Sequence, residues 1–319
     1  MVRRVTKSER GVALLATLMA VALMTILVVD FTSSSALGYR SAANQANELR
    51  AEYLARSAVN VGLALLAKQA RMNTASQQSF YALTQPWAMP FPPVPMDGGT
   101  ATVSIVDEAR KFNINSIVNQ RTGAVMQQPY LPMLQRLFAI LEIDPQIIPA
   151  IIDWLDPDSV ESPGGGAEAD YYMRLTPPYE PRNGPMPTIG DLRMIRGIDT
   201  PTFMRLRQFL TVAPETRINI NTAPPELIAA LSENLARDDS LVKEILAARL
   251  REPFQNLTDL GNLAGAGEDF NKIATLLNIT SSYFTITGVG TYAGTRRFVY
   301  ATFRSNLNGT AVLVGWNED

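Results

Sequence analysis

Histidine and cysteine are both absent from the 319 residues of this chain. Without imidazole or thiolate there is no Ser-His-Asp or Cys-His catalysis, no thiol redox chemistry and no ordinary zinc site. Any metal held by side chains must then be a hard cation bound by oxygen. A basic excess is missing as well. The chain has 28 Lys and Arg against 30 Asp and Glu, a net charge of −2 and a pI near 5.5. Proteins that live on nucleic acid need a positive face, so this balance leans against that partner. The lack of cysteine fits any compartment. With 46% apolar and 18% charged residues the chain should fold, with room for two or three modest domains or one elaborate one.

Charge disappears altogether between Val12 and Val29, where Thr17 and Thr25 are the only polar residues. At ~1.5 Å per residue this run spans most of a ~30 Å hydrocarbon layer. Arg3, Arg4, Lys7 and Arg10 precede it, and no comparable cluster follows within the next thirty residues. The positive-inside rule therefore predicts a cytoplasmic N-terminus, with the bulk of the chain across the membrane. Two plainer readings compete: a secretory signal peptide cut within "SSSALG", near Leu37, and a simple single-pass anchor. Proline is absent from Val12 to Gln85, and Gly38 and Gly62 are the only glycines there. Tyr39, Ala42, Ala46, Leu49 and Tyr53 step by three and four, and the pattern continues through Leu54, Ala58, Val61 and Leu65. This predicts an amphipathic helix growing directly out of the apolar one, a rod of ~55 residues and roughly 80 Å. A discarded signal has no use for such continuity. The rod reads as a retained building element.

"QPWAMPFPPVPMDGG", Gln85–Gly99, ends the long helix. "TATVSIVD" alternates as a strand, and a helical stretch follows around Leu131–Leu141. After a turn-rich acidic loop from Asp156 to Pro187, helical patterns run through "TIGDLRMIRG", "TPTFMRLRQFL", "PPELIAALSENLA" and "DDSLVKEILAARLRE". Strand patterns return in "SYFTITGVGTY", "RRFVYATFRS" and "TAVLVGW". The order predicts an α+β chain whose sheet is interrupted by a helical insertion, residues 117–278, with flanking segments 30–116 and 279–319. A short echo accompanies that division: "KFNINS" at Lys111–Ser116 recurs as "RININT" at Arg217–Thr222. Each predicts a brief extended segment reaching a Ser or Thr able to cap a following helix, and Pro224 and Pro225 suit a first turn. Two unrelated strand-to-helix caps would look the same.

Three constellations carry chemistry. In "DWLDPDSVESPGGGAEADYY", Asp153, Asp156, Asp158, Glu161, Glu168 and Asp170 surround a triple glycine. Glycines let a backbone fold tightly enough for several oxygens to converge, and six acids so close repel unless a cation sits among them. That favours calcium over a merely solvated acidic loop. The EF-hand register fails, because the sixth position from Asp156 is not glycine and Glu168 falls one residue late. The same acids could form a hydrolytic pair, but no substrate cleft is visible in the sequence. Finally, "TIGDLRMIRGID" and "FQNLTDLGNLAGAG" resemble pieces of helix-hairpin-helix modules, and "NINTAPPELIAAL" resembles competence-type DNA-binding proteins. Arg193, Arg196, Arg205 and Arg207 make the case for DNA, whereas Glu268 and Asp269 after Gly265-Ala266-Gly267 carry the wrong charge for phosphate. Helix packing is the competing use of that pattern.

A basic leader ending in Gly11, just before a retained apolar helix that begins at Val12, resembles a type IV pilin-like processing signal. Pilin-like subunits usually carry glutamate at the fifth position after the cut, and here it is Ala16. A carboxylate without a partner in lipid is costly, so the missing one suggests a filament tip. With "FNIN", "DWLDPD…GGGAEADYY", "PTIGDL" and "ININTAP" in order, the chain resembles the minor pseudopilin protein K family of the type II secretion system over nearly its whole length. The resemblance implies a pseudopilin fold, a long N-terminal helix packed on an antiparallel sheet, with a large inserted SAM-like or helix-hairpin-helix-like domain. It divides the chain into a leader 1–11, a membrane helix 12–29, a pseudopilin segment 30–116, the insertion 117–278 and C-terminal strands 279–319. It also implies calcium, extrapolated here onto Asp156, Asp158, Glu161, Glu168 and Asp170. Processing by prepilin peptidase between Gly11 and Val12, with methylation of the new terminus, follows from the same likeness. So does assembly with minor pseudopilins H, I and J into a pseudopilus that drives folded proteins outward. The expected product is a non-enzymatic structural subunit, single-pass in the inner membrane, largely periplasmic and without nucleic acid; the alternative is a membrane-tethered helix-hairpin-helix DNA-binding protein of a competence-type apparatus.

Overall fold

The computed structural model describes residues 7–263, 267–306 and 310–318. The start of the basic leader, with Arg3 and Arg4, and Gly265-Ala266 lie outside the described residues. Helix α1 runs from Lys7 to Ala75 without a break, as the lack of proline permits. Behind it the chain builds β1 (Val94–Met96) and β2 (Gly99–Asp107), and then leaves for a long helical excursion. It returns in β7 (Tyr283–Tyr292), β8 (Thr295–Ser305) and β9 (Ala311–Glu318). The sheet order is β1-β2-β7-β8-β9, with every pair antiparallel. Its two halves therefore come from opposite sides of the insertion.

α1 lies across this sheet, but not on the expected stripe. The packed face is Ala51, Leu54, Ala55, Ala58, Val59, Leu66 and Ala70. Tyr39, Leu49, Tyr53 and Val61 are 78%, 55%, 65% and 45% exposed, Ala42 and Ala46 also point to solvent, and Leu65 is half-buried. Of the stripe read from sequence only Leu54 and Ala58 are buried. The cause is close approach. A Cβ added at Gly288 would stand 2.1 Å from the Ala55 carbonyl oxygen, and one at Gly290 only 1.8 Å from that of Ala51. A helix pressed this hard on a strand needs alanine on its own side and glycine opposite, so its larger apolar residues are left on the outer face. Tyr81, Trp87 and Phe284 close the end of this small core, with ring centroids 5.0–6.1 Å apart.

The excursion has two lobes with the same opening. The first runs from β3 (Phe112–Asn113) through α2 (Tyr130–Ile140), α3 (Ile147–Leu155), α4 (Ala169–Tyr172) and α5 (Thr200–Leu206) to β4 (Leu210–Thr211). The second runs from β5 (Ile218–Asn219) through α6 (Pro225–Ala230), α7 (Glu233–Arg237), α8 (Asp239–Arg251), α9 (Leu257–Gly261) and α10 (Gly267–Ile273) to β6 (Leu277–Asn278). In each lobe the first and last strands pair in parallel. The Asn-Ile-Asn echo is a shared turn. Asn113 Oδ1 accepts from the Asn115 N–H at 3.0 Å, and Asn219 Oδ1 accepts from the Asn221 N–H at 3.0 Å. The hydroxyls do not cap the next helix as expected. Ser116 donates back to the carbonyl of Asn113 at 2.6 Å and Thr222 Oγ1 lies 3.3 Å from that of Asn219, while Pro224 precedes α6 with no side-chain cap. Both lobes share one apolar core, and it is a separate cluster from the core beneath α1.

Candidate metal centre and exposed helix

The acidic loop begins at the C-terminal end of α3, a helix so apolar that every residue but Pro149 is buried. Asp153 sits in its last turn with no exposed surface. Its carboxylate accepts the Ser162 N–H at 3.0 and 3.1 Å and the Ala167 N–H at 2.7 Å. This acid therefore organises the loop from within. The glycines are forced by contact: a Cβ at Gly166 would lie 2.3 Å from Asp153 Oδ2, and one at Gly165, whose φ is +127°, 2.7 Å from the Gln146 carbonyl. The tight return delivers Glu168 beside Asp156 and Asp158, and one oxygen from each of these three lies within 4.8 Å of the others.

Asp156 and Glu168 are only 5% and 7% exposed. Asp156 Oδ1, both Glu168 carboxylate oxygens and Asn183 Oδ1 are buried and accept no hydrogen bond. Burial pushes the Asp156 carboxyl up to about 6, helped by Asp158 and Asp153. Burial likewise raises Glu168 to about 7, with Asp153 and Asp156 adding to it. Buried oxygens normally find partners, so the three orphaned carboxylate oxygens of Asp156 and Glu168 fit a cation site. Every donor is oxygen, from carboxylates and one amide, which suits a calcium-sized hard cation.

Glu161 and Asp170 stand outside this cluster: Glu161 is exposed and paired with Arg196 at 3.8 Å, and Asp170 is exposed in α4. Asn183 carries no charge, so the pattern of acids does not point to it. It sits in a proline-rich turn at φ +47°, its Nδ2 donating to the Asp158 carbonyl at 2.6 Å, and an Asn-Gly pair reads from sequence as a plain turn. The arginines that argued for DNA are engaged within the fold. Arg193 and Arg207 lie over the Phe203 ring at 5.0 and 5.8 Å. Arg196 covers Tyr171 and donates to the Gly166 carbonyl, and Arg205 donates to that of Leu141. The DNA-binding alternative is not favoured.

Among the described residues, α1 is the helix long and apolar enough to cross a membrane, with a mean hydropathy of 2.8 over its best window and none of that window buried. A Cβ added at Gly11 would meet nothing within 4 Å, and Val12 and Ala16 are exposed.

Two family models, both described as type II secretion system (T2SS), protein K, match residues 110–215 and 218–280. Type II secretion system protein K of Klebsiella pneumoniae is 30% identical over 250 residues, covering 76% of this chain and 75% of its own. That of Pseudomonas aeruginosa is 29% identical over 273 residues, 81% and 80% of the two chains. That of Aeromonas hydrophila is 28% identical over 327 residues, 97% and 96%. A chain in the crystal structure of the GspK-GspI-GspJ complex from enterotoxigenic Escherichia coli has the same fold, with a TM-score of 0.68 at 18% identity, covering 88% of this chain and 99% of that one.

Proposed function

The chain belongs to the protein K family of the type II secretion system, and from that premise we propose a minor pseudopilin that stands at the tip of the pseudopilus. The observation that carries this reading is α1, which passes from an exposed apolar segment into the packed sheet without a linker. Processing between Gly11 and Val12 retains that helix, and the inner membrane holds Val12–Val29 with the N-terminus cytoplasmic. Ala16 supports the tip position, since no subunit above would neutralise a carboxylate there. N-terminal sequencing of the membrane form should start at Val12; a start near Leu37 would overturn the reading.

The outer stripe of α1, Tyr39, Ala42, Ala46, Leu49 and Tyr53, supports assembly through helix contacts. Its small and aromatic residues are exposed on the side away from the sheet. The similar solved chain sits with GspI and GspJ, and by that likeness the partners here are minor pseudopilins H, I and J. Prepilin peptidase acts earlier, and exported folded proteins are handled by the assembled tip. The role is that of a structural subunit without catalysis.

Calcium joins Asp156, Asp158 and Glu168 with the amide oxygen of Asn183, binding the acidic loop to the proline-rich turn. The ion supplies charge neutralisation and no reaction step. Chelator should lower the melting temperature and added calcium restore it. Terbium, which takes the same oxygen donors, should luminesce through Trp154, which adjoins the site in sequence and packs on Tyr172 at 5.4 Å. Absence of both responses would refute the site.

A further inference from the structure

We infer that Asp107 is an interdomain latch, a buried carboxylate that fixes the orientation of the helical unit on the sheet. The apolar cores of the two parts are separate clusters among the described residues. Hydrophobic contact is non-directional, and two cores that do not merge cannot by themselves hold one part at a set angle to the other. Hydrogen bonds can, because their geometry is restrictive.

Such bonds gather at the crossing point. Asp107 ends β2, where the chain leaves the sheet, and is 1% exposed. Its Oδ1 accepts the Ala109 N–H at 2.8 Å in the exit turn. Its Oδ2 accepts from Thr222 Oγ1 at 2.6 Å and Asn219 Nδ2 at 3.1 Å in the second lobe, and from Ser281 Oγ at 2.7 Å where the chain returns. Asn219 Nδ2 also donates to the Tyr81 carbonyl at 3.0 Å, in the segment that follows α1. One side chain thus joins the exit, the return and the helical unit. Two lesser stitches lie nearby. Thr211 Oγ1 donates to Glu108 at 2.6 Å, and the Ser282 N–H donates to Glu215 at 3.1 Å.

The natural lack of cysteine makes the test direct. Cysteines introduced as L250C on α8 and V312C on β9, both at exposed positions, carry spin labels in the detergent-solubilised full chain. Double electron–electron resonance should give a single narrow distance peak. In D107A, and in the T222A/S281A double variant, that peak should be lost to a broad distribution while circular dichroism stays unchanged. D107N, which keeps one accepting oxygen, should recover part of the narrow peak. A peak as narrow as the parent's in the folded variants would overturn the latch. Should D107A fail to fold, the hydroxyl double variant decides alone, since it leaves the carboxylate with its Ala109 and Asn219 donors.

Discussion

Gly290→Ala tests how hard α1 is pressed against the sheet. The new Cβ would lie 1.8 Å from the Ala51 carbonyl oxygen, 2.6 Å from the Ala55 nitrogen and 2.8 Å from the Leu54 Cβ. Two of these neighbours are helix backbone, so no side chain can swing aside; the helix itself has to lift by more than an ångström. Overpacking of this kind costs about 1–3 kcal/mol, and loss of glycine's unfolded-state freedom returns up to about 1 kcal/mol. A net loss of about 2 kcal/mol corresponds to roughly 4–8 °C for a body of this size. Gly38→Ala is the control: nothing lies within 4 Å of its Cβ, and the site is an exposed helix interior, where alanine favours the helix by about 1 kcal/mol. Thermal melts followed by circular dichroism on the solubilised chain should show G290A well below the parent and G38A at or above it. G290A melting within a degree of the parent would refute the close approach and the explanation of which face of α1 is buried.

Further expectations follow from the proposed metal centre and the outer stripe. Asp156 and Glu168 have carboxyls raised to about 6 and about 7, above their unfolded values, so the stability they lend the ion-free protein is intact below about pH 4 and lost as pH rises through 6–7. Calcium needs the ionised forms; at a hundredfold excess over Kd its stabilisation, about 2.7 kcal/mol, should be nearly absent at about pH 5 and complete by about pH 8. A calcium-induced shift in melting temperature that ignores pH would contradict this assignment. Asp153→Ala strands two backbone N–H groups and should cost about 2–4 kcal/mol while abolishing terbium luminescence; retained luminescence would show that Asp153 does not shape the loop. Leu49→Glu with Tyr53→Glu should leave stability within about 0.5 kcal/mol, as exposed positions do, yet end co-purification with the other minor pseudopilins.

The sequence disclosed α1, the sheet strands and the break between them, because missing prolines, alternation and turn clusters act locally. It misled about the buried face of α1, since large apolar residues draw attention while Ala51, Ala55 and Ala58 do not. Only the partner strand, with Gly288 and Gly290 more than two hundred residues away, reveals that smallness was required. The acids of the loop were legible, but their division of labour was not: Asp153 turned inward to backbone amides, Glu161 turned to Arg196, and the neutral Asn183 reached the Asp158 carbonyl. Residues Ile189–Met194 looked helical and form only a 3-10 turn, held short between Pro187 and Gly197.

Because β2 and β7 flank the excursion and α1 rests mainly on strands from the far end of the chain, synthesis imposes an order on maturation. Helix α1 emerges first and must wait, its alanine face bare, until the last segments clear the ribosome. Any chain cut short before β7 leaves that face uncovered. Truncated products of this subunit should therefore be the ones that cellular proteases remove.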